Sequence, residues 1–325
     1  MSASVAAEWI RRTWGTLEEV FRARRRPVAS GDQPPAGPGG PAVDSERPEA
    51  GEHTVEAGLR DRGYVTVDLL DEAELHEVRA VRDRLGAAPG DPRTGLFNDT
   101  WSTDTDYKRA VSEAMDRLFA PAVQRVVPDH RSLGFVHVVK WPGDAGDVVA
   151  HRDPTFVDED HFRSMMVWCA LDDVTVETGA LWVVPGSHRA ATGVRGHQCE
   201  ENLYPEVSAD RPRYAVPLEL RAGSAVLYDH ALVHTSGPNR SSDERVAIAG
   251  VLVPDSAAPR YAVPNGPAEL STVAIDEQFF IDHRLSHLDL DAVAASCAPL
   301  GTAARRERPP VEELGSSSTP VARRG

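Results

Sequence analysis

The sequence predicts a mainly β domain with flanking helices, an antiparallel sandwich or barrel of which the jelly roll, or double-stranded β-helix (cupin-like), is one closed form. Short apolar runs rich in Val, Trp and Leu carry this prediction, because such runs are typical of strands. The runs cover residues 133–140, 164–171, 180–184, 223–228 and 245–253. Turn residues separate them, as in Pro142-Gly143, Pro185-Gly186 and Gly237-Pro238-Asn239.

Helical signals lie on the N-terminal side of these runs. Residues 63–67 read as a strand, and Asp71 with Glu74 then form a capping box, which predicts a helix that ends near Leu85. A second helix is expected at about residues 107–118, and the stretch between the two helices reads as a long loop. The helices therefore flank the β domain.

The chain divides into four predicted regions. Residues 1–26 repeat apolar side chains at helical spacing, residues 27–52 form a flexible Pro- and Gly-rich linker, residues 53–299 form the folded domain, and residues 300–325 form a disordered tail. The first helix packs on its own domain or a neighbouring subunit, or it docks to a partner or an anionic membrane surface.

Composition excludes several classes of function. The net charge of -15 and the pI near 5.2 work against nucleic-acid binding. The three cysteines, Cys169, Cys199 and Cys297, show neither a disulfide framework nor zinc spacing. A long apolar run and a cleavable leader are both missing from the sequence, so we expect a cytoplasmic protein without stable membrane insertion.

The triplet His151-Arg152-Asp153 is the first candidate site. In an extended segment His151 and Asp153 project to the same side, while Arg152 points away. One imidazole and one carboxylate are two thirds of the facial triad that holds non-haem Fe(II). The third ligand must then be a histidine that the fold brings close.

His234 is the preferred third ligand, with His230 as the alternative, four residues earlier. His234 precedes a Gly-Pro-Asn turn, after which Arg245 opens the next strand. A hairpin of this size can return Arg245 to the metal site, where its planar guanidinium can pair both oxygens of a keto-diacid carboxylate. Ser236 shares the face of His234 and offers a hydroxyl to the same carboxylate.

Five sequence pieces together resemble the phytanoyl-CoA dioxygenase family. They are His151-x-Asp153, the segments 168–172, 177–188 and 234–241, which read WCALD, ETGALWVVPGSH and HTSGPNRS, and finally Arg245. The pieces recur in this order between about residues 63 and 253. The family consists of Fe(II)- and 2-oxoglutarate-dependent oxygenases on a double-stranded β-helix, so the resemblance implies this fold and this chemistry.

The resemblance also implies residue roles. His151, Asp153 and His234 would be the iron ligands and catalytic residues, while Arg245 and Ser236 would bind the distal carboxylate of 2-oxoglutarate. Trp168 would line that pocket, although a tryptophan in an apolar strand is as often part of the core. The co-substrates would be 2-oxoglutarate and O2.

The expected reaction is hydroxylation of an unactivated C–H of a small molecule, a bacterial specialised metabolite or its precursor, with release of succinate and CO2. Related iron halogenases carry a small residue in place of the carboxylate, whereas Asp153 is present here. Desaturation, epoxidation or cyclisation needs the same iron site and stays open. A catalytically idle β-helix protein that binds a ligand is the alternative from another class.

Substrate contacts are predicted on the segment that follows the triplet. Phe156, Asp158 and Glu159 are candidates for a wall or lid, and His137 is a candidate wall residue on an earlier strand. If the two acids face the pocket, a substrate with an amine or hydroxyls is favoured over an acyl-CoA; a solvated acidic loop is the alternative.

Overall fold

The structure is a computed structural model that describes residues 54–190, 193–196, 203–265 and 269–304, together with residues 310, 311 and 314. The strands are β1 (Tyr64–Asp68), β2 (Leu96–Asn98), β3 (His130–Lys140), β4 (Val148–His151), β5 (Met165–Ala170), β6 (Leu181–Val183), β7 (Val216–Leu218), β8 (Ser224–Asp229), β9 (His234–Ser236), β10 (Arg245–Pro254), β11 (Arg260–Pro264), β12 (Glu269–Ala274) and β13 (Pro299–Ala304). The α-helices are α1 (Val55–Arg62), α2 (Glu72–Leu85), α3 (Thr105–Leu118), α4 (Ala120–Val126), α5 (Pro205–Ala209), α6 (Arg211–Tyr214), α7 (Phe279–Asp282) and α8 (Leu290–Ser296).

The larger sheet has the strand order β1-β8-β5-β10-β3-β2, and every neighbouring pair is antiparallel. The smaller sheet has the order β4-β9-β6-β7 and is also antiparallel. An apolar core joins them, in which Trp168 and Val226 of the larger sheet pack with Leu181 and Val183 of the smaller sheet. Two antiparallel sheets with this strand order form a double-stranded β-helix, so the predicted fold is confirmed.

Helices cover the outer face of the larger sheet. Val78 of α2 and Met115 of α3 belong to the same buried cluster as Phe135 of β3 and Ile248 of β10. The central strands are thus buried on both faces, which explains why they read as continuous apolar runs rather than as alternating patterns. Covered on both sides, the larger sheet provides a rigid wall for the interior.

The predicted capping box is present at the start of α2. The backbone N–H of Glu74 donates to Asp71 Oδ1 at 2.8 Å, and the backbone N–H of Asp71 donates to Glu74 Oε2 at 3.0 Å. These two bonds satisfy donors that a helix N-terminus otherwise leaves unpaired.

The predicted long loop between the first two helices of the β domain contains additional structure. It includes the short strand β2, whose Phe97 pairs with Val139 of β3, and a 3-10 turn, Asp99–Trp101. A three-residue edge strand is too short to give a periodic pattern, and its pairing partner lies far along the chain.

The C-terminal part of the chain forms a separate sheet with the order β11-β12-β13. The predicted tail is wrong at its start, because residues 299–304 pair with β12. Most side chains of β13 are exposed, so backbone pairing holds this strand and no apolar pattern marks it. The predicted N-terminal helix (1–26), the linker (27–52) and most of the tail lie outside the described residues. In the described part of the chain, no helix has the length and apolar character needed to cross a membrane.

Replacing the capping residue, Asp71→Ala, should lower the free energy of unfolding by about 1 kcal/mol, the typical contribution of an N-cap side chain. Chemical denaturation followed by circular dichroism measures it. Glu77→Ala, at an exposed position within the same helix, is the matched control and should change stability by less than about 0.5 kcal/mol. Equal effects of the two substitutions would contradict the role of the cap.

Candidate metal centre

Three polar side chains meet on the smaller sheet: His151, Asp153 and His234. One ligand atom of each lies within 4.8 Å of the others. Asp153 Oδ1 is 3.8 Å from Nε2 of both histidines, and the two imidazole centroids are 4.3 Å apart. The structure therefore brings together the three residues that the sequence predicts as metal ligands. Two imidazoles and one carboxylate are the donor set of the facial triad.

Strand pairing places these groups. His151 at the end of β4 lies directly opposite His234 at the start of β9. Asp153 follows the end of β4, and its backbone N–H donates to the carbonyl of His230 at 2.9 Å. Arg152 points away, as predicted, and donates from Nη2 to the carbonyl of Ser187 at 2.9 Å.

Local hydrogen bonds orient both imidazoles. Nδ1 of His151 lies 2.8 Å from the carbonyl oxygen of Val149, and Nδ1 of His234 lies 3.0 Å from that of Leu232. A carbonyl oxygen only accepts, so each Nδ1 carries the proton and each Nε2 keeps its lone pair. Metal-ligating histidines are oriented in the same way, with the second ring nitrogen held by a carbonyl or carboxylate.

Protonation states also suit a metal ion. Burial, reinforced by the nearby His234, lowers the pKa of His151 to about 4, so its imidazole is neutral at pH 7. Burial alone would raise the pKa of Asp153, but the surrounding histidines and a hydrogen bond with Tyr228 shift it downward on balance. Neutral imidazoles beside an ionised carboxylate are the forms that ligate metals.

One atom of the cluster lacks a partner. Asp153 Oδ2 is buried and accepts no hydrogen bond from the described residues. An unsatisfied buried carboxylate oxygen is costly, and a cation held beside the carboxylate offsets part of that cost. The residues present thus fit a divalent metal ion.

His230, the alternative third ligand, is turned elsewhere. Its Nδ1 lies 2.8 Å from Ser164 Oγ, and its ring packs 4.7 Å from that of Phe156. It does not belong to the group of close donor atoms found among the described residues. His230 contributes its backbone carbonyl to the Asp153 segment and not its imidazole to the donor set.

A second polar site lies inside the same barrel around Arg245. This side chain is buried, and its Nε and Nη1 have no hydrogen-bond partner among the described residues. Its guanidinium carbon lies 4.9 Å from the ring centroid of Trp168. Burial lowers the pKa of Arg245 to about 10, which leaves it charged at pH 7. A buried cation with free donors is the arrangement that recognises a carboxylate.

Lys140, which the sequence analysis did not select, lies opposite Arg245 in the pairing of β3 with β10. Its Nζ donates to Ser236 Oγ and to the carbonyl of Gly237, both at 2.5 Å. Burial holds the pKa of Lys140 well below its usual range. Only Lys108 and Lys140 occur in a chain that otherwise uses arginine, and this rarity was the signal that could have identified it.

The polar turn after β9 returns the chain to Arg245. Asn239 is fully buried, and its Nδ2 donates to the carbonyls of Lys140 and Asp243 at 3.0 and 2.7 Å. Its Oδ1 accepts from the backbone N–H of Ser241 at 3.0 Å. Arg245 thus lies over Trp168 and opposite Lys140, which donates to Ser236.

The family model for phytanoyl-CoA dioxygenase (PhyH) matches residues 59–247 of this sequence. This range contains every residue of the two polar sites. The chain belongs to the phytanoyl-CoA dioxygenase family. Membership confirms the family predicted from the motifs.

Curated relatives are similar over part of their length. The chain is 33% identical over 118 residues to phytanoyl-CoA dioxygenase 1 of Oryza sativa, covering 35% of this chain and 41% of that protein. It is 34% identical over 143 residues to phytanoyl-CoA dioxygenase domain-containing protein 1 of Mus musculus, covering 39% and 48%. An uncharacterized protein of Mycobacterium bovis is 34% identical over 214 residues, covering 60% and 72%. The matches to the two curated dioxygenases thus span less than half of those proteins.

Solved structures of similar fold include the α-ketoglutarate-dependent epimerase SnoN from nogalamycin biosynthesis, with 24% identity, a TM-score of 0.44, and coverage of 63% of this chain and 83% of that one. Another is EvdO2 from Micromonospora carbonacea complexed with 2-oxoglutarate, with 22% identity, a TM-score of 0.48, and coverage of 67% and 96%. At these TM-scores the two structures carry no argument about the reaction of this chain.

The predicted acidic substrate contacts, Asp158 and Glu159, are already paired within the chain. Glu159 accepts from Arg195 Nη1 and Nη2 at 2.7 and 2.5 Å. Asp158 Oδ2 lies 3.5 Å from Arg260 Nη2 and 3.5 Å from His161 Nδ1. Both carboxylates have cationic partners within the chain, so they do not favour a substrate that bears an amine.

Phe156 and His137 have different positions. Phe156 lies in the metal loop, the segment of residues 152–162 that carries Asp153, and is buried against the C-terminal region, with its ring centroid 5.7 Å from that of Tyr261 and 6.1 Å from that of Phe280. His137 lies on the outer face of β3, opposite Ile248, and its backbone N–H and Nδ1 lie 2.7 and 2.9 Å from Asp99 Oδ2. The structure places His137 in the scaffold rather than in the pocket, because neighbouring strand residues face opposite sides.

The glycine of the Glu177-Thr-Gly-Ala segment allows a close approach to Lys140. Gly179 has φ +86°, and a Cβ atom there would lie 2.7 Å from Lys140 Cδ and 2.9 Å from the carbonyl oxygen of Gly237. Both contacts are shorter than van der Waals distance, and the carbonyl belongs to the backbone. The segment can therefore pack against Lys140 and Gly237, beside Arg245, only because residue 179 has no side chain.

Gly179→Ala should destabilise the protein more than Gly90→Ala, which is a matched control because Gly90 has φ +87° and open space at the Cβ position. The left-handed backbone costs both variants about 1–2 kcal/mol, and the clash should cost Gly179→Ala a further 1–3 kcal/mol or so. Denaturant unfolding measures the difference between the two variants. Equal losses would show that the turn moves away at no cost.

Proposed function

We propose that this chain binds Fe(II) through His151, Asp153 and His234, binds 2-oxoglutarate through Arg245, and hydroxylates an unactivated C–H of a small molecule. The observation that carries the proposal is the combination of the His-Asp-His donor set with a buried guanidinium whose donors are free, both in one barrel interior. Either site alone is compatible with a binding protein. Together they match the needs of a chelating keto-diacid.

The protein side chains supply positioning. When bound, Fe(II) with 2-oxoglutarate and O2 supplies the oxidising power for C–H cleavage, with succinate and CO2 as co-products. The two histidines present fixed Nε2 lone pairs, since their Nδ1 protons are held by backbone carbonyls. Together with Asp153 they would hold the ion, and a donor set of three side chains leaves coordination positions for co-substrates.

Recognition of the distal carboxylate would use Arg245 and Ser236. The guanidinium offers Nε and Nη1, neither of which has a partner among the described residues, and these donors can bind a carboxylate. Lys140 donates to Ser236 Oγ, which leaves the hydroxyl proton of Ser236 free to donate to the same carboxylate. Trp168 stacks under the guanidinium and keeps water from it.

Hydroxylation is the reaction that this site supports directly, and desaturation, epoxidation or cyclisation would use the same donor set with another substrate placement. Phe156 and its aromatic neighbours make the side of the metal loop apolar. A role in bacterial specialised metabolism remains a prediction from composition.

Purified protein with Fe(II), ascorbate, 2-oxoglutarate and O2 should form succinate above the level of an Asp153→Ala variant, because the metal needs its carboxylate ligand. Succinate is quantified by chromatography with and without candidate substrates. Wild-type protein that neither forms succinate nor binds 2-oxoglutarate in the metal-loaded form would refute the oxygenase assignment and favour a catalytically idle ligand-binding protein.

Arg245→Met should weaken 2-oxoglutarate binding by about 30-fold or more, since loss of a buried charged partner costs about 2–5 kcal/mol. Arg245→Lys should recover only part of this loss, because an ammonium group does not reproduce the two-pronged contact. Anaerobic calorimetry with the metal-loaded protein measures both affinities. Arg240→Met is the control: Arg240 lies in the same turn but is exposed and pairs with Asp144 at 3.3 Å. Equal affinities of wild type and Arg245→Met would exclude Arg245 from the site.

A further inference from the structure

Arg195 lies beside the metal loop in a short described segment, residues 193–196, and its side chain is only 8% exposed. The sequence analysis gave it no role. It lies beyond the PGSH part of the family motif, and its surroundings are set by residues far away along the chain. Its hydrogen bonds connect three parts of the metal loop.

The guanidinium makes two kinds of contact. Its Nε donates to the carbonyl oxygen of Asp153 at 2.9 Å. Its Nη1 and Nη2 donate to the two carboxylate oxygens of Glu159 at 2.7 and 2.5 Å. The guanidinium thus binds the backbone of Asp153, a proposed metal ligand, through Nε and the side chain of Glu159 through Nη1 and Nη2.

The backbone of Arg195 adds two further bonds. Its N–H donates to Thr155 Oγ1 at 2.9 Å, and its carbonyl accepts from the N–H of Thr155 at 3.0 Å. The N–H of Asp153 is held separately by the carbonyl of His230 at 2.9 Å. Both polar backbone atoms of Asp153 are therefore fixed, one by His230 and the other by Arg195.

We propose that Arg195 is a positioning residue that fixes Asp153 for metal binding and couples this ligand to residues 154–162 through Glu159. The inference rests on the proposed metal site. A carboxylate on a short side chain can reach the metal only if its backbone is held, since Asp153 lies beyond the end of β4 and has no strand partner of its own. Outer contacts of this kind change metal affinity by roughly 10–100-fold when they are removed.

Lysine cannot replace this arginine. An ammonium group is a single point of charge, whereas the guanidinium pairs a carboxylate with two nitrogens and still donates from Nε. The Glu159 pair is also largely buried, with side-chain exposures of 8% for Arg195 and 18% for Glu159. The contact geometry, and not charge alone, is what would hold Asp153.

The experiment measures metal affinity in the absence of turnover. Apo wild-type protein and the variants Arg195→Lys, Arg195→Met and Glu159→Gln are titrated anaerobically with Co(II) and Fe(II) by calorimetry, and the Co(II) d–d spectrum reports the ligand geometry. Arg260→Met is the matched control, because Arg260 pairs with Asp158 on the same loop at 3.5 Å and, among the described residues, does not hydrogen-bond to Asp153. Circular dichroism and apo unfolding establish that each variant is folded.

The proposal expects both Arg195 variants to bind metal about 10–100-fold more weakly with an altered Co(II) spectrum, and Glu159→Gln to show a smaller loss in the same direction. The metal affinity of Arg260→Met should stay within about twofold of that of the wild type. Folded Arg195→Lys and Glu159→Gln proteins with wild-type affinity and spectrum would overturn the positioning role, even if apo stability falls. Should Arg195→Met fail to fold, these two conservative variants decide. Failure of the wild type to bind metal would instead refute the proposed function.

Discussion

The backbone pairing of β4 with β9 holds His151 opposite His234, and the donor set exists only while this register is kept. Side chains reinforce the pairing: Thr235 Oγ1 donates to the carbonyl of Val148, and Arg211 Nε donates to Thr235 Oγ1 at 3.2 Å. Each imidazole is then oriented by a carbonyl two residues earlier in its own chain segment. Backbone pairing and these local hydrogen bonds thus set the geometry of the centre.

Two buried cations distinguish the other part of the interior. Arg245 and Lys140 lie opposite each other on neighbouring strands, where burial disfavours both charges and the nearby Arg245 further disfavours that of Lys140. Such an arrangement costs folding free energy, and an anion bound between the sheets offsets that cost. Burial of the apolar side chains of β10, which packs on both faces, offsets part of this cost. An anion bound between the sheets would therefore add to the stability of the barrel.

Local signals in the sequence were sufficient to predict much of the fold and the clustering of His151, Asp153 and His234. The H-x-D spacing, the turn after His234 and the capping box at Asp71 each depend on a few adjacent residues. Contacts between distant segments were not predictable in this way. The outward direction of His137 depends on which face of β3 meets the helices, and the pairing of Glu159 with Arg195 joins residues separated by 36 positions. A sequence pattern alone indicates neither which face of a strand the helices cover nor which distant residue pairs with a given side chain.

The length of the connection between β9 and β10 determines which way the side chain of Arg245 points. Asn239 fixes the middle of this turn to the backbone at Lys140, and Arg245 enters β10 with its side chain directed inward. Because side chains along a strand alternate, one inserted or deleted residue before β10 would turn Arg245 outward and leave Val246 facing the cavity. The number of residues between β9 and β10 thus determines the polar site around Arg245 as much as the residue types do. Among similar chains, a conserved length of this turn is therefore a stricter test of shared chemistry than overall sequence identity.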